Sequence, residues 1–294
     1  MFSTEQQCLE YIFQIRFPDG FICPKCEHTI YWINKRGLYI CQHCKYELSI
    51  TAGTIFHKSK LPLPIVFRAL WWIVAQKTGV SASSLQRVLG IGSYRTAWTW
   101  LHKFRRLMVF PGRVKLSGTI EIDETYVGGK KKGKRGRGAE GKTIVAIAIE
   151  IKEKATGRVR LGIVPDVTHK SLSGFIKENV ENGSTIITDD WRGYRNIESK
   201  GYNHKIENIK VKTDDEDVLP HVHRVASLLK RWLIGTHQNY VGQENLKFYL
   251  DEYTFRYNRR TSTDRGLLFS RLIEQAVLHS PVQYKEIIYS SVNE

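Results

Sequence analysis

SGTIEIDETYV, residues 117–127, alternates apolar and polar side chains, and that period of two reads as a β-strand. The patterns that follow it set the fold class. After the Gly-, Lys- and Arg-rich stretch GGKKKGKRGRGAEGK (128–142), strand patterns run over 143–151 and 158–164. A helix is expected over 172–180, behind Thr168 and Ser171. STIIT (184–188) is a short apolar strand that ends at Asp189 and Asp190. A short helical piece (192–199), a strand (204–212), an acidic loop (213–217) and helices over 222–234 and 245–258 complete the pattern. Strands alternating with helices predict an α/β domain built on a mixed sheet flanked by helices.

Upstream of residue 117 the period is helical. Residues 1–18 read as a short amphipathic helix, and 19–55 as strands and turns. Helices are expected over 65–77, 84–89 and 94–107, with Gly90 and Gly92 breaking the chain before the last. Three helices with such a break form a helix-turn-helix signature. On that reading Arg95, Lys103, Arg105 and Arg106 of the third helix face nucleic acid, while Trp71, Trp72, Trp98 and Trp100 belong to the core. The expected blocks are an N-terminal helix (1–18), a cysteine-bearing ribbon (19–60), the helix-turn-helix-like segment (61–112) and the α/β domain (113–294).

Four of the five cysteines form two pairs, Cys23-Pro-Lys-Cys26 and Cys41-Gln-His-Cys44. Two such knuckles 14 residues apart supply four thiolates, the ligand set of a closed structural zinc site. Zinc would also stabilise a segment too small to hold a core unaided. Cys8 stands apart and reads as a buried apolar residue.

Lys and Arg number 45 against 29 Asp and Glu, a net charge of +16, with a pI near 9.6. That is the footprint of a nucleic-acid binder. Residues 1–120 hold sixteen cations against five acids, so +11 of the charge lies there and +5 in the remainder. The apolar content, 41%, excludes a wholly disordered chain. No apolar run approaches the roughly 20 residues of a membrane span. MFSTEQQCLE has no basic lead-in to an apolar stretch, so the cytoplasm is expected, at the nucleoid when DNA is bound.

Asp123 lies within the first strand pattern and Asp189 directly follows the fourth. If those strands are parallel neighbours, both carboxylates meet at one sheet edge and can hold Mg²⁺, a cation that prefers oxygen ligands. The element order matches the ribonuclease-H-like fold, whose metal site takes acidic residues from the first and fourth strands and from a later helix. The later helix here contains no Asp or Glu. It contains His221, His223, Lys230 and Arg231, and the seven-residue step from His223 to Lys230 keeps those two on one face. Asp190 is the weaker rival to Asp189, and Glu124 should face the opposite side of the strand from Asp123.

Five ordered blocks carry a family resemblance: FICPKCEH with YICQHCKYELSITAGTIFHKSKLPL, IEIDETYVGGK, ITDDWRGY with GYNHK, HVHRVASLLKRWLIGTHQ, and FYLDEYTFRYNRR. Together they resemble the insertion-sequence transposases that join a zinc ribbon to a DDE-type ribonuclease-H-like domain, the ISXO-like group. The resemblance covers nearly the whole chain. It implies metal-dependent cleavage and strand transfer of double-stranded DNA at the inverted repeats of a mobile element, by a homo-oligomer assembled on element ends and target. It implies Asp123 and Asp189 as the first two ligands to Mg²⁺ or Mn²⁺. The third position, usually Glu or Asn, falls on His223, with Lys230 beside it on the phosphate backbone and Arg231 as a further DNA contact. An imidazole suits Mn²⁺ better than Mg²⁺, and also suits acid/base chemistry. Lys130, Lys131, Lys132, Lys134 and Arg135 form either a basic tip on DNA phosphates or a solvated loop. Two rival readings are a nuclease that cuts without joining and a zinc-ribbon DNA-binding protein derived from an inactive transposase.

Overall fold

The computed structural model describes residues 2–109, 112–128, 142–153, 155–207, 217–238 and 241–288. The chain divides into two units, Met1–Met108 with Ser262–Glu294, and Val109–Thr261.

The first unit opens with α1 (Glu5–Arg16). Thr4 and Gln7 form a capping box there: each side chain takes the other's backbone N–H. Cys8 and Ile12 are its buried residues. Burial, with Glu5 nearby, pushes the Cys8 thiol up to about 11, in keeping with a packed apolar residue. Three short antiparallel strands follow, β1 (Tyr31–Ile33), β2 (Tyr39–Cys41) and β3 (Glu47–Leu48). Phe13 of α1 stacks on Tyr39, ring centroids 5.0 Å apart. Next come α2 (Leu63–Ala75), α3 (Ala82–Leu89) and α4 (Tyr94–Arg106). Ser81 caps α3, and Gly90 ends it in the left-handed region that glycine adopts most readily. Helix α2 starts among prolines and has no cap of its own; the Glu5 carboxylate accepts the Leu63 N–H at 2.9 Å instead.

The expected 113–294 block needs correction. Helices α8 (Arg265–Leu278) and α9 (Tyr284–Ile288) belong to the first unit. The reason is apolar spacing: Leu268, Phe269, Leu272, Ile273, Ala276 and Val277 form one buried stripe. Phe269 packs on Phe2, Phe67 and Trp71, and the Ala276 carbonyl accepts the Ile55 N–H. Of the four tryptophans assigned to the core, Trp100 is buried, Trp72 and Trp98 are half-buried and Trp71 is exposed.

The second unit is built on a five-stranded sheet: β4 (Thr119–Val127), β5 (Thr143–Lys152), β6 (Ala155–Val164), β7 (Thr185–Thr188) and β8 (Asn203–Ile206). Its spatial order is β6-β5-β4-β7-β8. Strand β5 runs antiparallel to both of its neighbours, β4 and β6, and β4, β7 and β8 run parallel. This is the ribonuclease-H-like sheet. Helix α5 (His169–Asn179) covers one face, where Ile120, Ile122, Ala146, Ala148 and Val164 meet Leu172, Phe175 and Ile176. Helices α6 (Pro220–His237) and α7 (Gln243–Asn258) cover the other, where Val145, Ile147, Ile149, Val159 and Leu161 meet Val222, Val225, Leu229, Leu250 and Tyr253. Strand β5 is thus buried on both faces, which explains its unbroken apolar run. Each fully buried Val or Ile there contributes about 1.5–3 kcal/mol.

Strand β6 lies at the sheet edge and is closed from the end of α7. The Asn258 side chain both donates to the Val159 carbonyl and accepts its N–H, as a neighbouring strand would. Arg260 donates to the Thr156 and Gly157 carbonyls.

Candidate active site and zinc ribbon

Strand β4 delivers Asp123 and β7 delivers Asp189. Thr119, Ile120 and Glu121 pair in parallel with Thr185, Ile186 and Ile187, a constant offset of 66 residues. The same offset separates Asp123 from Asp189, two residues beyond the last paired rung. Ile187 packs with the cluster under α6 and α7 and Ile186 with the cluster under α5. Side chains alternate along a strand, so Asp189 continues on the α6 side. It is half-buried, whereas Asp190 is exposed. Its Oδ1 accepts the Trp191 N–H at 3.1 Å.

Helix α6 brings the third group. His223 Nε2 lies 3.2 Å from Asp123 Oδ2, and His223 Nδ1 lies 2.5 Å from Asp217 Oδ1. Its bond to Asp123, opposed by partial burial and aided by Asp217, raises the His223 imidazolium to about 9. The His223 ring thus lies between two carboxylates. Lys230 is exposed two turns further along α6. Partial burial and the nearby Lys142 lower its pKa, and the Asp123 charge acts in the opposite sense. Arg231 is also exposed.

Two carboxylates with an imidazole offer mixed oxygen and nitrogen donors, a set that fits a divalent cation and suits Mn²⁺ at least as well as Mg²⁺. Among the described residues, the cysteine quartet is the group of three or more whose ligand atoms all lie within 4.8 Å of one another. The Asp123, Asp189 and His223 arrangement is more open.

The quartet itself is built for zinc. Cys23 Sγ lies 3.6 Å from Cys44 Sγ, and Cys26 Sγ lies 3.6 Å from Cys41 Sγ. A tetrahedral site with Zn–S bonds of about 2.3 Å needs sulfurs about 3.8 Å apart. The two knuckles repeat each other. The Glu27 N–H donates to the Cys23 carbonyl and the Lys45 N–H to the Cys41 carbonyl, with Glu27 and Lys45 both at positive φ.

Three contacts were not foreseen. Asp217, at the end of the expected acidic loop, bonds to His223 Nδ1. Glu121 is buried on β4, and its Oε2 accepts the N–H groups of His221 and Val222, each at 2.9 Å. Glu124, on the opposite face from Asp123, accepts the hydroxyl of the buried Tyr194 at 2.9 Å. A signal for Glu121 did exist: Pro220 opens α6 without a local capping side chain, so the helix needs an acceptor from elsewhere.

The expected DNA face of α4 needs correction at Arg105, which is 2% exposed and lies in the core of its unit. Its α4 neighbours also turn onto their own unit. Arg95, though exposed, stands over the Tyr284 ring at 4.2 Å. Lys103 reaches the Ile55 carbonyl and the Trp100 ring, and Arg106 reaches the Glu286 carbonyl. Helix α9 covers the side of α4 that was expected to be open. Lys130, Lys131, Lys132, Lys134 and Arg135 lie outside the described residues.

Residues 115–258 match the ISXO2-like transposase domain, and residues 3–47 match the transposase zinc-ribbon domain. The chain belongs to the ISXO2-like transposases with an N-terminal zinc ribbon. It is 26% identical over 277 residues to an uncharacterized protein in transposable element ISH50 of Halobacterium salinarum, covering 87% of this chain and 91% of that protein. Among solved structures it resembles the catalytic core domain of BIV integrase, at 12% identity and a TM-score of 0.31, over 50% of this chain and 86% of that one. It also resembles the Mos1 strand transfer complex, at 11% identity and a TM-score of 0.24, over 76% and 77%. The ribonuclease-H-like assignment stands on the strand order and not on these scores. Among the described residues no helix is long and apolar enough to cross a membrane.

Proposed function

We propose that this transposase binds the terminal inverted repeats of its own element, cleaves DNA there and joins the freed 3′ end to target DNA. The observation that carries this reading is the 66-residue register that takes Asp123 and Asp189 to one side of one sheet edge, with His223 3.2 Å from Asp123. Asp123, Asp189 and His223 would hold the catalytic cation, Mg²⁺ or Mn²⁺. Bound there, the cation supplies charge stabilisation for phosphodiester hydrolysis and transesterification. The chain's own groups do the rest. Asp217 orients the His223 ring by accepting the Nδ1 proton in a hydrogen bond, which leaves Nε2, on the Asp123 side, as the nitrogen that would serve as donor. Lys230 steadies a DNA phosphate beside the carboxylates, and Arg231 extends that contact. In the ribbon, zinc holds the two knuckles together.

The protein would act in the cytoplasm, on nucleoid DNA, as a homo-oligomer that pairs two element ends. The test is a joining assay with a labelled duplex of the element end and a target plasmid, in Mg²⁺ and in Mn²⁺. Labelled plasmid is expected, with Mn²⁺ at least as effective as Mg²⁺. Cleaved but unjoined ends would leave a nuclease instead. His223→Glu replaces a nitrogen donor with oxygen and should shift the preference toward Mg²⁺. An unchanged metal preference in that variant would remove His223 from the ligand set.

A further inference from the structure

Asp123 is flanked on β4 by two buried glutamates, and each reaches a different element of the site. Glu121 lies two residues before Asp123 and so on the same face, and it is 4% exposed. Its Oε2 holds the first two free N–H groups of α6, those of His221 and Val222, at 2.9 Å each. A carboxylate at a helix N-terminus is favoured both by the orphan N–H groups and by the helix dipole. His223 directly follows Val222 in the first turn of α6, so fixing the helix start on Glu121 sets where the imidazole meets Asp123.

Glu124 points to the other face and is 8% exposed. It accepts the hydroxyl of Tyr194, which is fully buried. Tyr194 ends a 3-10 turn, Arg192–Tyr194, that begins three residues after Asp189. The turn is closely packed. A Cβ at Gly193 would fall 2.5 Å from the Val167 carbonyl and 2.8 Å from Trp191 Nε1. Trp191 in turn donates its backbone N–H to Asp189 Oδ1 and its indole N–H to the Val167 carbonyl. The path from Glu124 to Asp189 is thus one hydrogen bond and one rigid turn.

We propose that Glu121 and Glu124 are positioning residues that tie the other two ligand-bearing elements to the strand of Asp123, Glu121 through the start of α6 and Glu124 through Tyr194. This rests on the reading of Asp123, Asp189 and His223 as the cation site. Both glutamates are engaged away from the ligand set: Glu121 Oε2 is taken by two backbone donors and its Oε1 lies 3.9 Å from His221 Nε2, and Glu124 faces away from Asp123. Strand β4 would then carry one ligand and both supports in the four residues Glu121-Ile122-Asp123-Glu124.

The test is Mn²⁺ binding to the full-length, zinc-loaded protein, read by electron paramagnetic resonance of the free ion, with thermal unfolding measured on each variant. Tyr194→Phe keeps the buried ring and removes one hydroxyl. It should weaken Mn²⁺ about tenfold, the low end for supports of metal ligands, while the protein stays folded. Glu121→Ala and Glu124→Ala should weaken it likewise. Glu121→Gln and Glu124→Gln keep an acceptor oxygen and should bind close to the unaltered protein. Unchanged Mn²⁺ affinity in folded Tyr194→Phe, or equal losses in the Ala and Gln variants, would overturn the proposal. Asp123→Asn and Asp189→Asn serve as controls. If these bind Mn²⁺ undiminished, the cation site itself is wrong and the proposal falls with it; if they lose binding and Tyr194→Phe does not, only the positioning role falls.

Discussion

At the scale of single residues, burial decides which charges act on the outside and which are held within. Asp251 of α7 is the clearest test. Burial, opposed by Arg113 and Lys247, pushes its carboxyl up to about 6. The folded chain therefore keeps a proton there that the unfolded chain has shed. Stability from this group is greatest below about pH 4 and falls as pH rises through about 6. Asp251→Asn should accordingly stabilise the protein at pH 8, by about 3 kcal/mol, and leave it nearly unchanged at pH 4. Denaturant unfolding at the two pH values measures this, and equal effects at both would refute the account of Asp251. The same scale explains what the sequence did and did not reveal. Asp123 was legible because it sits in a two-residue alternation, and Asp189 because it ends a short apolar strand. Glu121 was not, since it meets residues 100 and 101 positions away, and Asp217, though only six residues from His223, is one of a run of acidic residues that nothing local distinguishes. Arg105 was misassigned because a basic residue in the last turn of a helix suits both solvent and the helix dipole, and only the packed unit reveals that it is enclosed.

At the scale of elements, the ribbon and the sheet are held by different means. Strands β1, β2 and β3 have only two to three residues each, too little to persist without the knuckles. Cys41→Ser should release one zinc per chain, read by metal analysis. It should also abolish amide-exchange protection in β1–β3 while protection in β4 and β5 is retained. Persistent protection in β1–β3 without metal would show that the aromatic packing of Phe13 and Tyr39 suffices. In the sheet, β4 to β7 were readable because period-two and continuous apolar runs give distinct signatures for half-buried and fully buried strands. Strand β8 covers Asn203–Ile206, and the expected 204–212 strand from residue 208 onward lies outside the described residues. Closure of β6 by Asn258 and Arg260 had no local signal, because those residues end a helix and act on a strand about a hundred positions earlier.

At the scale of the whole molecule, the first unit draws on discontinuous sequence, with the second inserted between its parts. The C-terminal helices return to the N-terminal unit, a pairing that no local pattern reveals, since the amphipathic stripe of α8 is equally suited to a sheet face. Removing residues 262–294 should therefore unfold the first unit by uncovering Phe67, Ile55 and their neighbours. The 109–261 unit should keep its own melting transition in calorimetry. A truncated chain whose first unit melts as before would place α8 outside that core. The charge of +16 belongs to this scale too, because it acts on DNA through the summed field and not through one contact. The proposed role of Asp123 and Asp189, as one cation site for DNA cleavage, is tested by cutting of a plasmid that carries the element's ends, with the intact protein, Asp123→Asn and Asp189→Asn, in Mg²⁺ and in Mn²⁺. Cutting at the repeat ends by the intact protein, abolished by either substitution while end binding persists, is the predicted result. End binding without cutting in either metal, or cutting that survives either substitution, would contradict it.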